Sequence, residues 1–91
     1  MERVVVHPRV GERHPDVSDD DVELAWRNAR AMRHRNFDPP AYIAAAGADT
    51  HGRLIEMLGV ELEGGGVLVY HAQKLTRKMA RELGLDERGL R

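Results

Sequence analysis

The sequence contains no cysteine. This absence excludes disulfide bonds, thiolate metal ligands and cysteine nucleophiles, and it makes the cytoplasm the default location. The sequence also lacks any apolar run near the roughly 20 residues that a membrane-spanning helix requires. Its N-terminal stretch has only a run of three valines, so no signal peptide is expected. We therefore predict a cytoplasmic protein with no membrane contact.

Internal repeats, low-complexity tracts and linkers are also missing from the 91 residues. A chain of this length buries one core, with no deep pocket for a large cofactor. Its 42% hydrophobic and 32% charged residues are typical of a folded protein. We predict one domain over residues 1–91, no bound cofactor, and a frayed tail at residues 86–91.

The net charge of −1 conceals an uneven distribution of charge. Residues 25–36 and residues 64–81 each contain cations and no acid. These cations are Arg27, Arg30, Arg33 and Arg35 in the first stretch, and Lys74, Arg77, Lys78 and Arg81 in the second. Two basic patches can bind phosphate groups even on a nearly neutral protein. Cations on small helices also commonly form solvated faces, so both interpretations stay open.

A helix is predicted over residues 18–35. Ser18 is a suitable N-cap, Asp21 closes a capping box, and Trp26 and Met32 lie on one apolar stripe of helical spacing. The acidic run before this stripe suits a helix N-terminus and lacks the spacing of a calcium loop.

Three strand candidates follow at residues 41–48, 53–62 and 67–72, separated by short turns. Short connections favour an antiparallel meander, and a last helix begins near Thr76 and ends at Gly84. The predicted fold is α+β, in the order β-α-α-β-β-β-α. Two or three helices pack on a small antiparallel sheet, a three-stranded meander that an N-terminal strand can extend.

Strand alternation assigns side chains to the two faces of this meander. Arg53 and Glu56 fall on opposite faces, and His71 shares its face with Val67 and Val69. The alternation therefore favours a site that combines Arg53 with His71.

Several short motifs resemble one protein family. They are His14–Pro15 with Ser18, Gly52–Arg53–Leu54, and Ala72, Lys74 and Thr76 with Arg77 and Lys78. Over residues 12–83 the chain resembles the BrnT-type toxins of bacterial toxin–antitoxin pairs, in the wider RelE/ParE group. The resemblance implies a small cytoplasmic endoribonuclease that inhibits translation and is neutralised by a cognate antitoxin protein.

Metal-independent cleavage of RNA needs a base for the 2′-hydroxyl, cations for the charged phosphorane and an acid for the leaving oxygen. We predict that Arg53 and Lys74 hold the scissile phosphate, with His71 or Glu56 as the proton acceptor. The residues assigned to RNA or antitoxin binding are Arg77, Lys78, Arg81 and His14. No metal is expected, because the histidines have no ligand-like spacing.

Each candidate also has a structural interpretation. His71 at a strand end suits a bond to a backbone carbonyl, and Glu56 suits an ion pair with a neighbouring strand. Arg53 suits an ion pair with Glu61 or Glu63 across a hairpin. The alternative function is a non-catalytic, toxin-like domain that acts on a protein target, as ParE-type relatives do, or docks to a partner. The acidic overall balance favours this alternative. Gln73 also favours it, because in BrnT-type toxins an arginine commonly follows the alanine that corresponds to Ala72.

Overall fold

This computed structural model describes residues 3–85. Within them lie five strands and three helices. They are β1 Val4–Val6, α1 Pro8–Arg13, α2 Asp19–Arg27, β2 Ala29–His34, β3 Tyr42–Ala48, β4 Leu54–Glu61, β5 Val67–Lys74 and α3 Arg77–Glu82. The tail predicted at residues 86–91 lies outside the described residues.

The strands form one mixed sheet in the order β1-β5-β4-β3-β2. β1 is parallel to β5, and the other neighbours are antiparallel. The predicted α+β class is confirmed. The predicted three-stranded antiparallel meander is present as β3, β4 and β5. The sheet as a whole and the element order differ in detail from the prediction, because a fifth strand, β2, is present and β1 joins the sheet in parallel.

The predicted helix over residues 18–35 ends early, at Arg27. Ser18 and Asp21 form the predicted capping box, which confirms its start. Residues 29–34 instead pair with β3, so the sheet satisfies their backbone groups, and pairing overrides a weak helical preference. Met32, predicted on the apolar stripe, lies on this edge strand with 47% of its surface exposed.

The main core lies between the sheet and helices α1 and α2. Val10 and Val22 from the helices are buried with Met57 and Val69 from the sheet, and Trp26 is a core residue as predicted. α2 approaches β3 so closely at Gly47 that an added Cβ would overlap the backbone of α2. Burial of this apolar surface supplies most of the driving force for folding.

A β-bulge in β5 changes the face on which His71 lies. Leu58 is opposite His71, whereas Gly59 is opposite Val69, so Tyr70 is one surplus residue in the strand. His71 therefore shares a face with Leu58 rather than with Val69. The predicted common face for His71 and Val69 is wrong for this reason.

Helix α3 covers this second face of the sheet. Thr76 is its N-cap and Gly84 follows it with a φ of 74°, as predicted. Met79 and Ala80 are its buried residues. No helix among residues 3–85 is long and apolar enough to cross a membrane.

Candidate functional site

The candidate site is a cleft between the second face of the sheet and α3. At its centre, Nε2 of His71 lies 3.1 Å from Oε2 of Glu56. Glu56 is in β4 and His71 follows the bulge of β5, so the two side chains are neighbours on one face. The sequence predicted each as a proton acceptor, and the structure brings both into one cluster.

Glu56 is a buried carboxylate with four donors around it. Oε1 accepts bonds from the backbone N–H of Thr76 at 2.9 Å and from its hydroxyl at 2.6 Å. Oε2 accepts a bond of 3.2 Å from Nε2 of Gln73 and faces His71. Burial acts to raise the pKa of Glu56, but these hydrogen bonds outweigh it and hold the pKa below its ordinary value.

This arrangement fixes the tautomer of His71. Because ionised Glu56 only accepts hydrogen bonds, the Nε2 atom that faces it must carry a proton. In the neutral ring the lone pair is then on Nδ1, which has no hydrogen-bond partner among residues 3–85. The side chain is 26% exposed, so solvent or a substrate can reach the ring. Glu56 orients the imidazole, and His71 keeps the free basic atom.

The cleft beside this pair has a volume of about 350 Å³. Its lining includes Arg35, Lys78 and Glu82. Arg35 and Glu82 form a bidentate ion pair of 2.7 and 2.8 Å, which lowers the pKa of Glu82 and raises that of Arg35. Lys78 forms no ion pair with the residues that the structure describes, so its charge is available to an anionic ligand.

A second imidazole lies against the first. The ring of His14, just after α1, has its centroid 6.4 Å from that of His71, with the ring planes at 89°. α1 packs against β5 past the end of β1, which brings His14 to this place. The sequence assigned His14 to binding and gave no indication of this proximity.

A separate basic pocket of about 400 Å³ contains the other predicted catalytic cations. Arg53, Lys74 and Arg77 line it together with Arg30 from the edge strand. Arg81, also assigned to binding, is exposed on α3 and lines neither cavity. The predicted quartet of His71, Glu56, Lys74 and Arg53 is thus divided between two cavities.

Arg53 is engaged by acids of its own chain. Its Nε donates to Oδ2 of Asp49 at 2.7 Å, and its Nη2 donates to the backbone oxygen of Asp16 at 2.8 Å and lies 3.5 Å from Asp21. The predicted pairing of Arg53 with Glu61 or Glu63 is wrong, because the turn before β4 places Asp49 beside it. The favoured combination of Arg53 with His71 is also wrong, since the bulge turns the imidazole to the other face.

Three side chains around Arg53 meet the geometric requirement for a metal site. Ligand atoms of Asp21, Asp49 and His51 all lie within 4.8 Å of one another. The carboxylates already accept bonds from Ser18, Thr50, His51 and Arg53. Because the guanidinium of Arg53 already meets their charge, these residues suit a closed internal network better than a cation site. The prediction that no metal binds stays a prediction.

Sequence reasoning missed Arg35, Gln73 and Thr76 as members of the His71 cluster. Arg35 was assigned to a helix, so no periodicity could bring it to this face. The alternation of β5 gave the wrong face for His71, and a bulge leaves no reliable signal in a single sequence. Comparison of the chain with protein-family models, with curated proteins and with solved structures gives no match, so the resemblance to BrnT-type toxins stays a prediction.

Proposed function

We propose that the protein is a metal-independent endoribonuclease in which His71 accepts the proton of the 2′-hydroxyl group. One observation carries this proposal: a half-buried imidazole is held through Nε2 by an ionised, buried glutamate, and its other nitrogen has no hydrogen-bond partner among residues 3–85. A carboxylate that orients a histidine in this way fixes the tautomer that acts as a general base. Glu56 is then a positioning residue, because all its donors belong to the protein.

The cations around the cleft supply the remaining requirements. Lys78 is suited to stabilise the charge that develops on the scissile phosphate, because it lines the same cleft as His71. Lys74 and Arg77 line the basic pocket, where they are suited to neighbouring phosphates of the same strand. This assignment moves Lys74 from the reacting phosphate to the RNA backbone and leaves Arg53 in its internal ion pairs.

The resemblance to BrnT-type toxins adds a biological setting to this chemistry. In that setting the protein acts in the cytoplasm, inhibits translation by cutting RNA, and is neutralised by a cognate antitoxin. Arg81, exposed on α3 outside both cavities, is available to acidic residues of such a partner.

The direct test is cleavage of RNA by the purified protein in the presence of a metal chelator. His71→Ala is expected to lower the cleavage rate by about 10²–10⁴-fold, the usual contribution of a general base. His34→Ala is the matched control, because that histidine pairs with Glu61 away from the cleft. Equal rates for wild type and His71→Ala, or cleavage that the chelator abolishes, would contradict the proposal.

A second test concerns the basic pocket. Replacing Lys74 or Arg77 by alanine should weaken RNA binding. It should also reduce the slope of log affinity against log salt by about 1 for each phosphate that the variant no longer neutralises. Arg27→Ala on α2, where the arginine pairs with Glu23, is the control and should leave the slope unchanged. An affinity that is independent of salt would contradict backbone binding in this pocket.

A second candidate function is a non-catalytic domain that binds a protein. The observation in its favour is that Arg53 and Arg35, two of the cations beside the cavities, are already paired with internal acids. Expression in a bacterium that lacks the cognate antitoxin separates the two functions. Growth arrest with degraded messenger RNA supports cleavage, arrest with intact RNA indicates a protein target, and normal growth indicates docking.

A further inference from the structure

The proximity of His14 to His71 has no part in the reaction as described so far. One imidazole is enough for a general base, and Glu56 already orients it. Yet a second half-buried imidazole lies 6.4 Å away, centroid to centroid, and approaches the first edge to face. It comes from a different part of the chain, the segment after α1, and packing of α1 on β5 brings it there.

Cleavage of RNA needs one more group than the proposed site supplies. The 5′-oxygen must receive a proton as its bond to phosphorus breaks, otherwise it leaves as an unstable alkoxide. Glu56 cannot give this proton, because its pKa is lowered and the carboxylate is ionised. Arg35 cannot give it either, because the ion pair with Glu82 raises the pKa of its guanidinium above an already high ordinary value.

An imidazole is the side chain best matched to this task. Its ordinary pKa of about 6.5 lets it exist in both protonation states near neutral pH. Base and acid must each reach, through a hydrogen bond of about 2.8 Å, one of two oxygens on the same phosphorus atom. Two neighbouring rings, with one already oriented as the base, satisfy this requirement for proximity.

We propose that His14 is the general acid of the reaction, an inference that rests on the proposed endoribonuclease function. His71 Nδ1 takes the proton of the 2′-hydroxyl, and the 2′-oxygen forms a bond to phosphorus. The bond from phosphorus to the 5′-oxygen breaks, and a ring N–H of His14 gives its proton to that oxygen. The products are a 2′,3′-cyclic phosphate and a 5′-hydroxyl. Proton exchange with water restores both rings, and no other reactant is consumed.

The test uses RNA in which sulfur replaces the 5′-bridging oxygen at the cut site. A thiolate leaves without protonation, so a missing general acid no longer matters. We expect His14→Ala to cleave ordinary RNA about 10²–10⁴-fold more slowly than wild type. On the sulfur substrate its rate should return to within a few-fold of wild type, while His71→Ala stays slow on both substrates.

Two further variants keep the test decisive. His14→Asn retains a polar side chain in case alanine prevents folding, and it should show the same rescue by sulfur. His7→Ala removes the imidazole at the other end of α1, where it caps the helix, and should cleave both substrates as wild type does.

The outcomes separate this inference from the function on which it rests. Slow cleavage of both substrates by the His14 variants means that His14 only positions its neighbour, and it overturns the assignment as acid. Normal cleavage of ordinary RNA by these variants also overturns it, while the proposed function stands. Rescue by sulfur in Lys78→Ala instead would assign the acid to Lys78. If wild type cleaves neither substrate, both proposals fail.

Discussion

Residues 3–85 contain two buried carboxylate clusters that differ in their surroundings. In the first, Asp21 and Asp49 are surrounded by donors and by Arg53. In the second, Glu56 is equally satisfied, and one of its partners is His71, a half-buried imidazole whose Nδ1 has no hydrogen-bond partner among residues 3–85. The first cluster also contains a histidine, His51, whose Nδ1 lies 3.5 Å from Asp21. It is closed in the sense that Arg53 meets the charge of its acids and His51 lines neither of the two cavities. The second is open, because His71 lines a cleft beside Lys78, which has no ion-pair partner among residues 3–85.

This difference shows why burial and charge alone do not identify a site. Both clusters depress the pKa of a buried carboxyl group. For Asp21, burial opposes this shift, but bonds from Thr50 and Ser18 outweigh it and hold the pKa far below its ordinary value. A depressed pKa therefore accompanies structural networks as well as functional sites. The feature that separates the two clusters is a histidine that lines a cleft beside an unpaired cation.

The largest expected effect is on the closed cluster. Asp21→Ala removes the capping box and the anchor of Thr50, and leaves Arg53 with one acid fewer. We expect the free energy of unfolding to fall by about 3 kcal/mol, measured by urea denaturation. Asp20→Ala, an exposed neighbour in the same turn, should cost about 0.5 kcal/mol or less. Equal losses in the two variants would show that the cluster contributes no stability.

The next effect should separate the clusters by activity. Glu56→Gln keeps the shape of the side chain but removes the charge that fixes the tautomer of His71, and we expect kcat to fall by about 10²-fold. Asp49→Asn is the matched change in the closed cluster. It should lower stability and leave kcat at saturating RNA unchanged. If Asp49→Asn lowers kcat as much as Glu56→Gln, the distinction between closed and open clusters is wrong.

A smaller effect is expected at the two N-caps. Ser18→Ala and Thr76→Ala should each lower the free energy of unfolding by about 1 kcal/mol. Only Thr76→Ala should also slow cleavage, by a few-fold, because the Thr76 hydroxyl supports Glu56. Thr76→Ser retains the hydroxyl and should behave as wild type in both assays.

The smallest expected effect is a difference in acid stability. Both carboxyl groups have a depressed pKa in the folded protein, so the unfolded chain binds more protons and stability falls as pH falls. The contribution of Glu56 is fully present above its ordinary pKa of 4.5 and is lost as pH falls through the lower folded value. Urea unfolding from about pH 6 to about pH 3 should show a shallower decline for Glu56→Gln than for wild type. A parallel decline would contradict the shift.

Much of the fold could be predicted from local signals. The capping box at Ser18, the N-cap at Thr76 and the left-handed glycine at Gly84 all depend on residues within a few positions of each other. The prediction of a helix over residues 29–34 was wrong. Their helical preference is weak, and they form a strand because they pair with β3, a contact that a pattern within the segment itself cannot reveal.

The sequence predicted several residues of the candidate site correctly but not how they are arranged. His71 and Glu56 were both identified by residue type, but the alternation rule separated them. Arg53 was assigned to the phosphate, although the turn that precedes β4 brings Asp49 to it. Both errors arise from contacts set by an irregular backbone, which a regular period of two does not represent.

Tyr70, the surplus residue of β5, has a consequence for how this chain should be aligned with others. A chain that paired the same residues without a bulge would carry an imidazole at the equivalent column yet present it, together with Val69, to the hydrophobic core. Alignments that permit no gap at this position would therefore equate proteins whose histidines lie on opposite sides of the sheet.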